Sequence, residues 1–291
     1  MNITLLTPTQ WKDFELIDCG NEEKLERFGE VITIRPEPQA VWDRRLPEKE
    51  WLQKANYKFV GLSSSKGKWD CLKKGSPEQW NIDYHPLNLK FRLGLTSFKH
   101  VGIFPEQAAN WDFIADSIFE LKKTIEEPKV LNLFAYTGGA SIAAKRAGAD
   151  VTHLDSIKQV VTWANQNMEL SNLENIRWIV DDAMKFCQRA ARNGKKFHGI
   201  ILDPPAFGHG PKGENWKLER DINEMLKHVF SMLEEQHFLV LNTYSLGFSS
   251  MILENFIQPL SSQEKEVGEL YLQASSGVKL PLGVFARIRN L

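Results

Sequence analysis

At 291 residues the chain has room for one large domain, or for a medium domain with a small companion. Its 42% hydrophobic and 25% charged residues suit a globular protein with a buried core, and no apolar run approaches the roughly 20 residues that cross a bilayer. The net charge of −1 does not announce a nucleic-acid binder, and three widely spaced cysteines (Cys19, Cys71, Cys187) give neither a disulfide framework nor a metal knuckle.

The first residues, MNITLLTPTQWKDFE, lack a basic start and a sustained apolar stretch. They predict no signal peptide, so the expectation is a cytoplasmic protein with no membrane and no metal. Residues 1–97 then read as short strands bounded by turns. Residues 14–18 precede a Cys-Gly-Asn turn, and 30–35 alternate until Pro36 and Pro38. Residues 57–61 and 68–72 flank a Ser-Ser-Ser-Lys-Gly turn (63–67), and 88–93 alternate again. Five of nine tryptophans (Trp11, Trp42, Trp51, Trp69, Trp80) lie here, and they predict a small aromatic core or, alternatively, stacking platforms for bases. Residues 1–97 form the expected small, mainly-β N-terminal domain.

After Pro105 the rhythm changes. Apolar residues at helical spacing from Glu106 to Ile125 predict a helix. Short apolar runs then alternate with helical segments: 129–134 with 139–147, 151–155 with 157–170, and 177–181 with 183–192. Residues 198–203 are followed by a long loop and the segment 216–234, and 238–245 by 248–256. This pattern predicts a parallel sheet covered on both faces, closed by a terminal hairpin over 268–273 and 281–288. Residues 98–291 form the second domain.

In such a sheet, ligands bind beyond the carboxyl ends of the strands. The run Asn132-Leu-Phe-Ala-Tyr-Thr-Gly-Gly-Ala140 passes from strand to helix there, and its adjacent glycines predict a close backbone approach to a ligand. Asp155, at the next strand end, can accept the two hydroxyls of a ribose. Asp182, followed by Ala183 at the third, can accept an adenine amino group. A dinucleotide enzyme would need Gly-x-Gly-x-x-Gly and a P-loop would need Gly-Lys-Ser/Thr, and both are absent. The fourth strand opens into Asp203-Pro-Pro-Ala-Phe207. An acidic acceptor, a stiff turn and an aromatic ring suit a planar nitrogenous substrate; the alternative is a rigid loop exit with Phe207 plugging the core.

These residues resemble the class I S-adenosylmethionine-dependent methyltransferases, and more narrowly the family that modifies large-subunit ribosomal RNA at cytosine C5 or guanine N7. The resemblance rests on Leu133–Gly139 and Asp203–Phe207 and covers roughly residues 90–290. It implies a Rossmann-like, seven-stranded methyltransferase sheet over 98–291, S-adenosylmethionine as cofactor and RNA as partner. It implies cofactor contacts from Asn132, Phe134, Tyr136, Thr137, Gly138, Gly139, Asp155, Asp182, Ala183 and Asp203. Lys99–Gln107 resembles the segment that closes over the cofactor, which adds Phe104 and Gln107. The N-terminal stretches 24–29 and 35–40 resemble a bacterial subgroup with a small β domain, and not the RNA-binding PUA module of several relatives.

The cytosine-C5 relatives attack C6 with a cysteine after the fifth strand. Here that stretch is Leu241-Asn-Thr-Tyr-Ser245, with Tyr244 at the cysteine's position. The expectation is therefore direct displacement by an RNA-base nitrogen. Asp203 and the Pro204 carbonyl would orient the nitrogen, with Phe207 and Tyr244 walling its pocket. The loop 208–216 is read as a mobile lid, a substrate contact or a plain connection. The same turn would serve a protein glutamine amide or a small heterocycle, and a non-catalytic binding protein is the further alternative.

Overall fold

The computed structural model describes residues 3–61, 66–245, 247–260 and 264–291. The chain divides into two units that interleave in sequence rather than meeting at residue 97: one comprises Met1–Leu6, Gln107–Leu270 and Leu282–Leu291, the other Thr7–Glu106 and Tyr271–Pro281. Strand β1 (Ile3–Leu6) belongs to the first.

In the small unit, strands β2 (Phe14–Gly20), β3 (Glu23–Phe28), β4 (Val31–Pro36), β5 (Tyr57–Gly61) and β6 (Gly67–Cys71) form a five-stranded sheet in that order, with helix α1 (Glu48–Lys54) inserted before β5. Strands β7 (Gln79–Tyr84) and β8 (Leu89–Gly94) make a separate antiparallel pair. Asn21 and Glu22, both at positive φ, make the two-residue turn between β2 and β3 that such hairpins favour. Residues 63–65 of the expected serine turn lie outside the described residues.

Strand β3 escapes sequence patterning because Glu-Lys-Leu-Glu-Arg-Phe is mostly charged. Its buried Glu26 is matched by Arg35 of β4, with Nη2 at 2.6 Å and Nε donating at 2.8 Å, the pairing a buried charge requires. Of the five tryptophans only Trp51 is fully buried; it packs with Leu25, Ile34 and Ala55, and its Nε1 donates to Asp18. Residues 271–281 join this unit through the Ser275 and Ser276 amides, which donate to the Leu16 and Ile17 carbonyls.

In the large unit helix α2 (Ala108–Leu121) precedes five alternations. These are β9 (Lys129–Leu133) and α3 (Gly139–Arg146); β10 (Asp150–Asp155) and α4 (Lys158–Leu170); β11 (Ile176–Val180) and α5 (Ala183–Arg192); β12 (Phe197–Leu202), the short strands β13 (Phe207–His209) and β14 (Asn215–Lys217), and α6 (Leu218–Ser231); then β15 (Leu233–Thr243) and α7 (Ser250–Ile257). Strands β16 (Glu264–Gln273) and β17 (Lys279–Asn290) follow.

The sheet order is β1-β16-β17-β15-β12-β9-β10-β11. The strands β15 to β11 of that order are mutually parallel, and β17 is antiparallel to β15. Seven of these strands form the expected Rossmann-like sheet; β1 adds an eighth, parallel to β16. The two faces are apolar because the central strands are runs such as Val130-Leu131 and Ile200-Ile201-Leu202, each side chain worth about 1.5–3 kcal/mol once buried. Among the described residues no helix is long and apolar enough to cross a membrane.

Candidate active site

The carboxyl ends of β9, β10, β11, β12 and β15 carry, in turn, the loop 134–139, Asp155, Asp182, Asp203 and Tyr244. Phe134 (φ 55°), Tyr136 (φ 47°) and Gly138 (φ 86°) are all left-handed, which is costly for two bulky side chains and is the kind of strain that collects at functional sites. Surrounding bonds hold it in place. The Ala135 amide donates to the Leu154 carbonyl (3.1 Å), the Tyr136 amide to Asp155 Oδ2 (2.9 Å), and Asn167 Nδ2 to the Thr137 carbonyl (2.9 Å).

The two glycines also serve packing. A Cβ on Gly139 would lie 2.5 Å from Trp111 Cζ2, and one on Gly138 would lie 2.9 Å from the Ala164 Cβ. Helices α2 and α4 therefore press directly on the start of α3. The first intrahelical bond of α3 runs from the Ile142 amide to the Gly138 carbonyl, so the amides of Gly139 and Ala140 stand at its open end. Asn132 is 2% exposed and faces inward: its Nδ2 donates to Ser141 Oγ, which meets His153 Nδ1 at 2.9 Å. Burial pulls the His153 imidazole down to about 3, so this ring stays neutral beneath the loop.

Asp155 is half-buried, with Oδ1 accepting the Ile157 amide (3.0 Å) and Oδ2 the Tyr136 amide (2.9 Å). Burial raises its carboxyl, and the amides of Ile157, Tyr136 and Ser156 counter the rise. The carboxylate retains lone-pair capacity beyond those bonds. Asp182 caps α5, its Oδ1 accepting the Lys185 amide at 2.8 Å, which leaves Oδ2 for other work. Ala183 packs its side chain into the core and can offer only its backbone. Gln107 Oε1 accepts from Asn110 Nδ2, while Phe104 belongs to the small unit, its ring 5.1 Å from that of His100.

Asp203 follows β12 and accepts Asn242 Nδ2 at 2.9 Å on Oδ1. Burial pushes its carboxyl up to about 6, against the lowering effect of that amide. The Pro205 carbonyl accepts Trp216 Nε1 (2.7 Å) and the Ala206 carbonyl the Leu218 amide (3.0 Å), whereas the Pro204 carbonyl accepts no hydrogen bond among the described residues. Phe207 is 70% exposed and so is no core plug; Tyr244 is 40% exposed.

The stretch read as a lid, a substrate contact or a connection contains a hairpin, β13 against β14, and Trp216 belongs to β14 and not to the following helix. Trp216 is buried against Phe134 (ring centroids 5.0 Å apart), and Lys185 binds Glu214 at 2.6 Å. Sequence reasoning missed Asn242 and Trp216. The signal for Asn242 was a lone amide in the apolar run 238–243, one strand over from Asp203. Cys187, the large unit's cysteine, is buried in α5 with its thiol pushed up to about 12.

A doubly wound sheet with one antiparallel strand, a strained loop after its first strand and a carboxylate at each of the next three strand ends defines a class I S-adenosylmethionine-dependent methyltransferase. Within that class the chain belongs to the family described as Conserved hypothetical protein 95, which matches residues 110–269. The crystal structure of an S-adenosylmethionine-dependent methyltransferase from Agrobacterium tumefaciens is 35% identical, covers 99% of this chain and 94% of its own, and superposes with a TM-score of 0.90. The ribosomal RNA large subunit methyltransferase K/L of Shewanella frigidimarina is 28% identical over 186 residues, 60% of this chain and 25% of the relative. That of Pseudoalteromonas atlantica is 27% identical over 71% of this chain and 27% of its own length. The chain thus spans about a quarter of the length of these curated relatives.

Proposed function

We propose that the chain methylates a nitrogen of an RNA base, in ribosomal RNA, by direct displacement. The observation that carries this is Asp203: a half-buried carboxylate fixed by Asn242, next to an unengaged Pro204 carbonyl and an exposed Phe207 ring. The names of the curated relatives support ribosomal RNA as the substrate class.

The donor set fits S-adenosylmethionine. Asp155 would hold the ribose hydroxyls on the lone pairs its amide partners leave, and Asp182 Oδ2 the adenine amino group, with the Ala183 backbone beside it. The loop from Phe134 to Gly139 and the open amides of α3 would hold the amino-acid end. Phe104, Gln107 and Asn132 remain proposed contacts, and Asn132 also supports the loop from inside. When bound, this cofactor supplies a methyl carbon already activated by its sulfonium.

The residues of the chain then mainly orient. Asp203 and the Pro204 carbonyl accept the two hydrogens of an exocyclic amine and turn its lone pair toward the methyl carbon. As the nitrogen gains positive charge the Asp203 carboxylate stabilises it, and the surplus proton leaves to the carboxylate or to solvent. A ring nitrogen needs only the orientation. Phe207 and Tyr244 wall the base. The buried Cys187 thiol is no nucleophile for a covalent C5 route.

The test is mass spectrometry of nucleosides digested from ribosomal RNA of a strain lacking the gene, after incubation with enzyme and cofactor. An N-methylated base is expected; 5-methylcytosine would overturn the proposal.

A further inference from the structure

Charge along the chain is uneven. Residues 48–76 carry seven lysines against three acidic residues, a surplus of +4, which leaves −5 for the remainder of a chain whose total is −1. Two of these lysines, Lys58 and Lys68, lie on one face of the small unit's sheet. The register pairs Ile34 with Lys58, Lys58 with Asp70, and Val60 with Lys68, so Lys58 and Lys68 share the face of Ile34. That is the face α1 covers, because Trp51 and Ala55 pack on Ile34 and Leu25. Lys73 donates its Nζ to the Lys54 carbonyl at 2.7 Å, which ties the turn after β6 to the end of α1. Lys49, Lys73 and Lys74 are exposed, and Lys49 and Lys74 have no ionic partner among the described residues.

Ordinary structural reasons account for part of this. An edge strand such as β6 is often guarded by a lysine, and Lys54 answers the dipole at the end of α1. Lys73 also answers the end of α1 through the Lys54 carbonyl, whereas Lys74 lies past the strand's end and meets neither need. Glu23, Glu50 and Asp70 pair with Lys58, Lys54 and Lys68, and the surplus of long cations beyond those pairs is what a polyphosphate backbone neutralises.

We infer that the α1–β5–β6 face of the small unit is the surface that grips the phosphate backbone of the RNA substrate. The inference rests on the RNA reading above and assigns it a place: backbone affinity comes from this lysine band, and base selection from the turn at Asp203.

The experiment compares the full chain with the triple variant Lys68→Ala/Lys73→Ala/Lys74→Ala and with a control in the large unit, Lys123→Ala/Lys195→Ala/Lys227→Ala. Fluorescence anisotropy follows a labelled single-stranded RNA of mixed sequence across a salt series, and methyl transfer to ribosomal RNA is measured alongside. The band variant is expected to bind about 10-fold or more weakly and to lose about 2 from the slope of log K against log salt. It should keep its circular dichroism and its thermal shift with S-adenosylhomocysteine, while the control binds as the parent does. Equal weakening in both variants, or none in the band variant, would overturn the inference. If the parent methylates RNA and the band variant binds it unchanged, only this inference falls; if the parent transfers methyl groups to protein alone, the RNA reading falls and takes the inference with it.

Discussion

Replacing Gly139 with alanine tests whether the cofactor loop is set by packing from α2. The added Cβ would stand 2.5 Å from Trp111 Cζ2, 2.9 Å from Cε2 and 3.2 Å from Nε1, so the indole must retreat by about 1 Å to reach ordinary contact. Trp111 is 3% exposed and cannot swing into solvent. Overpacking of this kind costs about 1–3 kcal/mol, and the better helix propensity of alanine returns up to about 1 kcal/mol. A net loss of about 1–2 kcal/mol is expected, read as a lower urea midpoint at unchanged m value, with weaker binding of S-adenosylhomocysteine as the loop shifts. In a Trp111→Phe background the smaller ring leaves room, and the same substitution should then cost little, a coupling of about 1 kcal/mol or more. Unchanged or increased stability in the native background, or strictly additive effects in the pair, would refute the packing explanation.

Asp155→Ala removes the proposed ribose acceptor and one anchor of the loop, and calorimetry should show S-adenosylhomocysteine affinity falling about 10–100-fold; an unchanged affinity would remove Asp155 from the site. Asp203, raised to about 6 from its ordinary 3.8, should lose turnover as pH falls through about 6, because the carboxylate is the accepting form. Its contribution to stability runs the other way: the folded chain binds this proton more tightly than the unfolded one, so stability rises as pH falls from about 6 toward 3.8. Asn242→Leu deletes the amide that favours the ionised form, which should move the acid limb of the rate profile upward while activity at higher pH recovers; a limb that stays in place counts against that role. Cys187→Ala should cost about 1 kcal/mol of stability and leave methyl transfer intact, and loss of transfer would revive a covalent route.

The large unit was legible in the sequence because its strands are apolar runs with helices between them, and both faces of the sheet need covering. Helix α5 begins and ends where the spacing placed it. What stayed hidden had a physical cause in each case. Strand β3 buries a glutamate and hides behind its charges, and β13–β14 forms in a stretch of glycines, lysine and proline that reads as loop. Strand β1 is four residues of edge, with Ile3 and Leu5 exposed. At the site, the order of carboxylates along the strand ends was readable, since each follows an apolar run. The packing of Gly138 and Gly139 was not, because their neighbours Ala164 and Trp111 come from other helices. The inward bond of the Asn132 amide to Ser141, itself in contact with His153, could not be read from the motif because it joins three separate elements.

The central claim is that Asp203 holds an RNA-base nitrogen against the methyl donor. S-adenosylmethionine carrying a tritiated methyl group, incubated with the ribosomal RNA and the protein fraction of a strain lacking the gene, tests it for the parent enzyme and for Asp203→Ala together. Label is expected in RNA with the parent, and about 100-fold slower incorporation with the variant. Label confined to protein, or an Asp203→Ala enzyme of full activity, would contradict it.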